Sequence, residues 1–327
     1  MNFDERFSEF QQLIEKRLSE YVKVEQPKEL YEPYAYIMAA GGKRIRPALT
    51  ITACGAVGGD PMQALDNGLA IEIMHNFTLV HDDIMDKSPI RRGRPTVHVK
   101  WNDSIAILAG DMMIGQAYEL LSIGNGAINQ AEIFKQFNTG LIEVCEGQVW
   151  DMEFESRNDV SMDEYLLMIE KKTSRLLETC AVSGGYTGGA TPEMIAALRS
   201  YSINMGLAFQ IQDDMLDLTA DQVKFGKKVG QDIIEGKKTY LVLKARELAV
   251  EASDIELIDK YMNSKGLEDT YVEKFREMFT RLGVLEISQA TVDSYFQKAK
   301  DELVHLPKNE YTAMLDWFID KLNKRVF

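Results

Sequence analysis

Residues 69–86 read Leu69-Ala70-Ile71-Glu72-Ile73-Met74-His75-Asn76-Phe77-Thr78-Leu79-Val80-His81-Asp82-Asp83-Ile84-Met85-Asp86, a segment apolar nearly all round that closes on three aspartates. A helix apolar on most of its circumference is one buried on most sides of a bundle. Met205 to Leu218 repeats the device and ends Gln210-Ile211-Gln212-Asp213-Asp214-Met215-Leu216-Asp217. Both segments therefore carry a DDxxD motif. At about 3.6 residues per turn, Asp82 and Asp86 stand one above the other, and Asp83 lies near Asp86 around the cylinder. Close carboxylates repel and are costly beside an apolar core without a counter-cation. Two facing clusters of this kind make a cradle for hard divalent cations. Mg2+ suits it, because that ion takes one or two carboxylates, keeps waters and bridges substrate phosphates. One copy alone would read equally well as a solvated helix end; two copies on separate apolar segments favour a site. The spacings of an EF-hand and of a zinc site are absent.

Outward from these segments the helix signals are dense. Apolar residues recur at helical spacing over Phe3 to Tyr21, Ile105 to Leu121, Ile128 to Val149 and Met162 to Val182. Breaks fall at Gly41-Gly42, Gly58-Gly59-Asp60-Pro61, Gly124-Asn125-Gly126 and Gly188-Gly189-Ala190-Thr191-Pro192. In the last, Thr191 as N-cap, Pro192 at the first helical position and Glu193 in the first turn predict the start of a long helix. Between Asp221 and Lys238 the chain turns charged and glycine-bearing, which predicts a long loop of the kind that serves as a lid. Only 8 prolines in 327 residues and few alternating β-branched runs point to long helices, and 45% hydrophobic content is ample for a sizeable core. Length does not decide between one domain and two, and a single domain spanning 1–327 is favoured.

The balance of 37 basic against 51 acidic residues, a net charge of −14, speaks against a nucleic-acid partner, since phosphate backbones attract basic surfaces. Any phosphate bound must meet a local basic cluster. Cys54, Cys145 and Cys180 stand apart with no CxxC pair, so a reducing compartment and buried, inert thiols are expected. The first residues, Asn2-Phe3-Asp4-Glu5-Arg6-Phe7, have no basic stretch followed by an apolar run, and no apolar run reaches the ~18 residues of a membrane span. A cytoplasmic enzyme acting on dissolved substrates is the expectation.

Two basic runs answer the need for an anion site. Gly41-Gly42-Lys43-Arg44-Ile45-Arg46-Pro47 places Lys43 and Arg46 near a predicted helix start, where side chains and free amides can together hold a phosphate. It is not a P-loop, which needs GxxxxGK[ST]. Ile90-Arg91-Arg92-Gly93-Arg94-Pro95 adds arginines able to fork onto diphosphate oxygens. Alone, each run reads as a solvated face; beside two magnesium cradles they read as the anion half of one site.

With these pieces in order, the chain resembles the trans-isoprenyl diphosphate synthase (polyprenyl synthetase) family. The matching stretches are GGKRIRP at 41–47, HDDIMD with RRG from 81 to 93, Gly147-Gln148 with Asp151, Lys172-Thr173, FQIQDDMLD at 209–217 and GKKVGQDIIEGKKT at 226–239. The resemblance covers nearly the whole chain. It implies an all-α bundle around a deep central cavity, a homodimer, Mg2+ as cofactor, and joining of isopentenyl diphosphate to an allylic diphosphate such as dimethylallyl, geranyl or farnesyl diphosphate. It further implies that Lys43, Arg46, His75 and Arg92 bind isopentenyl diphosphate, that Asp82, Asp86 and Asp213 are metal ligands, and that Asp83, Asp214 and Asp217 complete the metal motifs. Arg91, Lys172, Thr173, Gln210, Lys227 and Lys237 match positions around the allylic substrate. His75, seven residues before Asp82, falls two turns up the same helix face. The first motif lacks the insertion of many bacterial farnesyl diphosphate synthases, which speaks against that subgroup.

The implied chemistry is departure of the allylic diphosphate, neutralised by Mg2+ and by Arg91, Lys172, Lys227 and Lys237, with the Thr173 carbonyl and Gln210 stabilising the cation left behind. Isopentenyl diphosphate, held by Lys43, Arg46, His75 and Arg92, then attacks it. A terpene cyclase shares the aspartates and Mg2+ but needs no second diphosphate site, so the Lys43, Arg46 and Arg92 cluster favours the transferase. A non-catalytic helical subunit would not need both complete motifs. Phe77, five residues before Asp82, and Thr78, four before it, with Met74 one turn deeper, are expected to limit product length; one aromatic beside a small Thr78 predicts geranylgeranyl diphosphate, then farnesyl diphosphate.

Overall fold

The computed structural model describes residues 2–123, 129–219 and 229–324. Among the described residues the strand content is one pair of two-residue strands, so the fold is all-α. The helices that matter here are α1 (Phe3–Tyr21), α2 (Lys28–Met38), α3 (Ile45–Ala56), α4 (Leu65–Met85), α5 (Val97–Lys100), α6 (Asp103–Ile123), α7 (Gln130–Ser156), α8 (Met162–Ile169), α9 (Arg175–Thr187) and α10 (Pro192–Thr219). Further helices follow at Gln231–Glu235, Tyr240–Leu248, Ala252–Met262, Val272–Arg281, Val284–Glu302 and Glu310–Asn323. Their starts obey local chemistry. The Asn2 side chain accepts from Asp4 and Glu5 amides, Ser161 and Glu164 form a reciprocal capping box, and the Thr191 hydroxyl accepts from Met194 N.

Contacts gather the chain into two compact units. The first comprises Met1–Leu141, Thr179–Leu198 and His305–Leu315; the second comprises Ile142–Glu178, Arg199–Val304 and Asp316–Phe327. In the first unit α4 is the centre: Leu69, Ala70, Ile71, Ile73 and Met74 are fully buried, as the all-round apolar pattern demands. Helix α6 turns Ala106, Ala109, Gly110, Met113 and Ala117 inward, and the small side chains permit close approach. At Gly110 a Cβ would fall on the His81 ring, so any larger residue there would displace the end of α4 that carries the first motif.

Helix α3 begins with an observation that separates two arginines of one motif. Arg44, in the left-handed conformation at φ 51°, caps α3 with a side chain only 1% exposed. Its guanidinium donates to Glu15 (2.6 Å), to the buried Glu72 of α4 (2.8 Å) and to the Met38 carbonyl (2.8 Å). Arg44 is thus a structural residue. Removing one member of a buried pair strands the other charge, so Arg44→Met is expected to lower stability by about 3 kcal/mol. A reduced urea midpoint at unchanged slope would show it; a parental midpoint would mean that Glu72 is not held as a buried anion.

The second unit has an aromatic core, in which Tyr261 meets Phe275 edge-on at 5.1 Å and Phe275 meets Phe279 at 5.6 Å, with Phe296 and Phe318 also buried. Here the sequence reading needs two corrections. The helix expected over Met162 to Val182 is interrupted: residues Glu170–Ser174 form a π turn between α8 and α9. Glycines on both flanks admit the widened turn, since a Cβ on Gly147 would lie 2.4 Å from Lys172 N and one on Gly206 would lie 2.4 Å from Ser174 Oγ. The loop expected over Asp221 to Lys238 contains the short helix Gln231–Glu235. Residues 220–228 of that loop, and with them Lys227, lie outside the described residues.

Candidate active site

In the first unit the two basic runs meet. Ile90–Arg91 pairs with Arg94–Pro95, and the turn residues Arg92 (φ 51°) and Gly93 (φ 71°) are both left-handed, as a two-residue type I′ turn requires. The turn aims the Arg92 guanidinium at the Gly41 carbonyl, to which it donates. Arg46 lies on the first turn of α3, and its buried Nε has no hydrogen-bond partner among the described residues. Lys43 is exposed just before that turn.

His75 is held well below its ordinary pKa first by burial and then by Arg46 and Arg92, so it stands neutral. Burial likewise lowers Arg46 and Arg92, and Arg92 is lowered further by Arg44, Arg91 and Arg46. Glu72 offsets this, but it is already bonded to Arg44. The half-buried Arg46 and the exposed Arg92 form no ion pair of their own among the described residues, and two such guanidiniums make a site for an anion with several oxygens.

The first aspartate motif closes α4. Asp82 is half-buried, and Asp86 is exposed at the C-cap, its amide bonded to the Asp82 carbonyl at 2.8 Å. Asp83 differs from both. It is buried, and Arg91 Nε donates to its Oδ1 at 2.8 Å. Burial raises the Asp83 carboxyl while Arg91 pulls against it. Asp83, which the sequence pattern has completing the metal motif, thus holds Arg91 through Oδ1. On the same helix Phe77 packs edge-on against His81 at 4.7 Å, the Thr78 hydroxyl donates to the His75 carbonyl, and Met74 is in the core.

The second unit carries the other predicted residues. Lys172 and Thr173 sit on the π turn, a local widening that often marks functional positions. Lys172 Nζ reaches Asp151 of α7 at 2.7 Å; Lys237 reaches Asp151 at 3.2 Å and Glu155 at 2.7 Å. Burial acts to raise the Asp151 carboxyl, yet Lys172 and Lys237 hold it below its ordinary value. Two lysines are thereby brought to one carboxylate. Asp151 entered the sequence reading as a matching position without a role, and Glu155 was not named, although its i, i+4 spacing from Asp151 on α7 was a usable signal.

On α10, Asp213 and Asp217 are half-buried, and Asp217 Oδ2 accepts the Asp232 amide at 3.1 Å. Asp214 is buried. Its Oδ2 accepts from the Tyr165 hydroxyl (2.5 Å) and the Tyr240 amide (3.1 Å), and its Oδ1 accepts from Gln210 Nε2 (3.2 Å). Burial pushes this carboxyl up to about 7, against the pull of those hydrogen bonds. Gln210 Oε1 in turn accepts from the Thr173 hydroxyl at 2.9 Å. Tyr165 and Tyr240 were missed in the sequence because a buried tyrosine at helical spacing reads as core.

The donor set fits magnesium. Among the described residues no group of three or more His, Cys, Asp or Glu side chains forms a self-sufficient metal cage. Each motif carries an i, i+4 carboxylate pair on one helix face, Asp82 with Asp86 and Asp213 with Asp217, beside the buried Asp83 and Asp214, which accept from Arg91 and Tyr165. One or two carboxylates completed by water and phosphate is the coordination Mg2+ favours, and the donors are hard oxygens throughout.

Known proteins resemble this chain over most of its length. The family model for polyprenyl synthetase matches residues 27–279. The chain is 39% identical over 316 residues to a short chain isoprenyl diphosphate synthase of Methanothermobacter thermautotrophicus, covering 97% of this chain and 96% of that one. It is 40% identical over 291 residues to a geranylgeranyl diphosphate synthase of Methanosarcina mazei, covering 89% and 88%. The crystal structure of a geranylgeranyl pyrophosphate synthetase from Pyrococcus horikoshii superposes with a TM-score of 0.92 at 36% identity, over 99% of this chain and 100% of the other. A motif order read from residues, a helical fold shared over the whole length and relatives of one activity lead to one conclusion: this chain belongs to the polyprenyl synthetase family and is an isoprenyl diphosphate synthase.

Proposed function

We propose that the chain condenses isopentenyl diphosphate head-to-tail with an allylic diphosphate, in a Mg2+-dependent reaction giving a short all-trans prenyl diphosphate, geranylgeranyl diphosphate first and farnesyl diphosphate next. The observation that carries this reading is the meeting of two basic runs, in which Arg46, with a buried Nε that has no hydrogen-bond partner among the described residues, and Arg92, turned onto the Gly41 carbonyl, both act on His75, an anion site additional to the aspartate motifs. Ionising one diphosphate would not need it; joining two does. The single domain expected over 1–327 is part of this proposal.

Bound Mg2+, for which Asp82, Asp86, Asp213 and Asp217 are the proposed ligands, would supply positive charge where the diphosphate departs. Lys172 and Lys237, gathered by Asp151, and Arg91, aimed by Asp83, add to that charge, as does Lys227 in the family pattern. The Thr173 carbonyl and the Gln210 amide oxygen present negative dipoles to the allylic cation. Lys43, Arg46, His75 and Arg92 hold isopentenyl diphosphate while its double bond attacks, forming the new carbon–carbon bond. The proton then lost from the adjacent carbon goes to the departed diphosphate, and no protein base is assigned.

No helix among the described residues is long and apolar enough to cross a membrane, and a cytoplasmic enzyme is proposed. A homodimer is proposed as well, supported by exposed Ile107 and Leu108 on α6 and by exposed Val149 and Met152 on α7. The test is incubation of the purified chain alone with dimethylallyl diphosphate, isopentenyl diphosphate and Mg2+, with products sized by mass spectrometry. A C15 or C20 diphosphate is expected. Ionised product without consumption of isopentenyl diphosphate would mark a cyclase, and no turnover without a second protein would mark a subunit.

Product length gives a further expectation. Phe77 and Thr78 are half-buried on α4 one to two turns before Asp82. Phe77→Ser is expected to lengthen the product by one or more five-carbon units, because the aromatic ring is the largest obstruction on that stretch. An active variant with an unchanged product distribution would place the stop elsewhere.

A further inference from the structure

The second carboxylate of the second motif has its lone pairs aimed into the protein. Asp214 is buried and accepts three hydrogen bonds: Tyr165 and the Tyr240 amide on Oδ2, Gln210 on Oδ1. With the Tyr165 hydroxyl and the Tyr240 amide donating to Oδ2, Gln210 turns its NH2 to Oδ1 and its oxygen the other way, where the Thr173 hydroxyl meets it at 2.9 Å. The side-chain oxygen of Gln210 and residue 173 of the π turn are thus locked together by a carboxylate that is itself locked by a phenol. Tyr240 is the first residue of helix Tyr240–Leu248, so the same carboxylate also fixes the chain three residues after Lys237.

We infer that Tyr165 is a positioning residue: through Asp214 it fixes the amide of Gln210, so that the amide oxygen faces the developing allylic cation, and Asp214 acts as this clamp rather than as a metal ligand. The inference rests on the proposed condensation, in which Gln210 supplies a dipole. Tyr165 is buried, at 2% exposure, and its ring stacks edge-on to Tyr240 at 6.3 Å. Phenylalanine keeps that packing and deletes the hydroxyl alone. The Asp214 carboxylate then loses the shortest of its three donors and keeps only the Tyr240 amide and Gln210 itself, which loosens the hold on the Gln210 amide.

The test is a double-mutant cycle on the purified full-length enzyme, with kcat, the KM for isopentenyl diphosphate and the half-saturating Mg2+ concentration measured for each variant. Tyr165→Phe is expected to lower kcat about 10-fold with KM for isopentenyl diphosphate unchanged within about twofold, since that substrate is held by other residues. In a Gln210→Ala background the same change is expected to have no further effect on kcat, because the group it acts through is gone. A merely structural role would give the same loss in both backgrounds and would overturn the inference, as would a parental kcat for Tyr165→Phe. Asp214→Asn supplies the second arm: its half-saturating Mg2+ concentration is expected to stay at the parental value while Asp213→Asn raises it about 10-fold. An equal rise in both would make Asp214 a ligand and refute the clamp. Absence of condensation by the unmutated enzyme would instead refute the proposed function.

Discussion

Asp82→Ala and Asp213→Ala are each expected to lower turnover by about 10³-fold or more while the helical circular dichroism spectrum stays intact. The size follows from what the ligands do. The diphosphate leaves carrying charge that Mg2+ would neutralise, and each motif offers one i, i+4 carboxylate pair, so deleting either aspartate halves the protein ligands on its side. The fold should tolerate the change, since both side chains are half-buried at helix positions where alanine is the best helix former. Removing like charges from a crowded site can even raise stability. Raising Mg2+ to tens of millimolar should restore part of the lost rate if affinity is the cause. Near-parental turnover of either variant, measured as radiolabelled isopentenyl diphosphate incorporated, would remove the aspartate from the metal site.

Arg46→Ala is expected to lower kcat/KM for isopentenyl diphosphate about 10³-fold, near 4 kcal/mol, with kcat at saturation much less affected. A group that stays attached throughout the reaction is held equally in the ground and transition states, so its loss appears in KM. The effect should be large because Arg46 is half-buried and its Nε is enclosed without a hydrogen-bond partner among the described residues, so the proposed diphosphate would supply the missing acceptor. Exposed Lys43 should contribute less, about 10-fold on Lys43→Ala. Arg46→Ala should also leave the unfolding midpoint at or above the parental value, the opposite of Arg44→Met, because it relieves repulsion among cations rather than stranding a buried acid. A rise confined to the KM of the allylic substrate would mean that the two diphosphate pockets are reversed.

Much of this was legible from residues in a row. All-round apolarity of 69–85 announced a buried helix, and α4 holds five consecutive or near-consecutive residues, Leu69, Ala70, Ile71, Ile73 and Met74, at zero exposure. The Thr191-Pro192 start signal was also sound, and α10 runs from Pro192 straight into the second motif. What one-dimensional reading missed was partnership. Arg44 and Arg46 are chemically alike and two residues apart, yet one is neutralised by Glu15 and Glu72 and the other is not. Asp83 and Asp214 look like their neighbours until Arg91 and Tyr165 are found on them. The π turn was hidden for a related reason: periodicity over 162–182 stays near helical on average, and only Gly147 and Gly206, distant in sequence, reveal that the backbone there is wider than an α-helix.

That turn has a consequence for how this enzyme lineage can change. A π turn is an α-helix carrying one surplus residue, so the helix behaves as though an insertion had been retained within it. Deleting one residue of 170–174 would restore a regular helix, and because the widened turn absorbs about one residue's 100° of rotation, the two flanks would stay in phase. Tyr165, Met168 and Ile169 before the turn and Leu176 and Leu177 after it, all buried, could still face inward. What the deletion would remove is the placement of the turn's own side chains, the Lys172 ammonium on Asp151 and the Thr173 hydroxyl on Gln210. The core can thus dispense with the surplus residue, whereas the contacts made within the turn cannot.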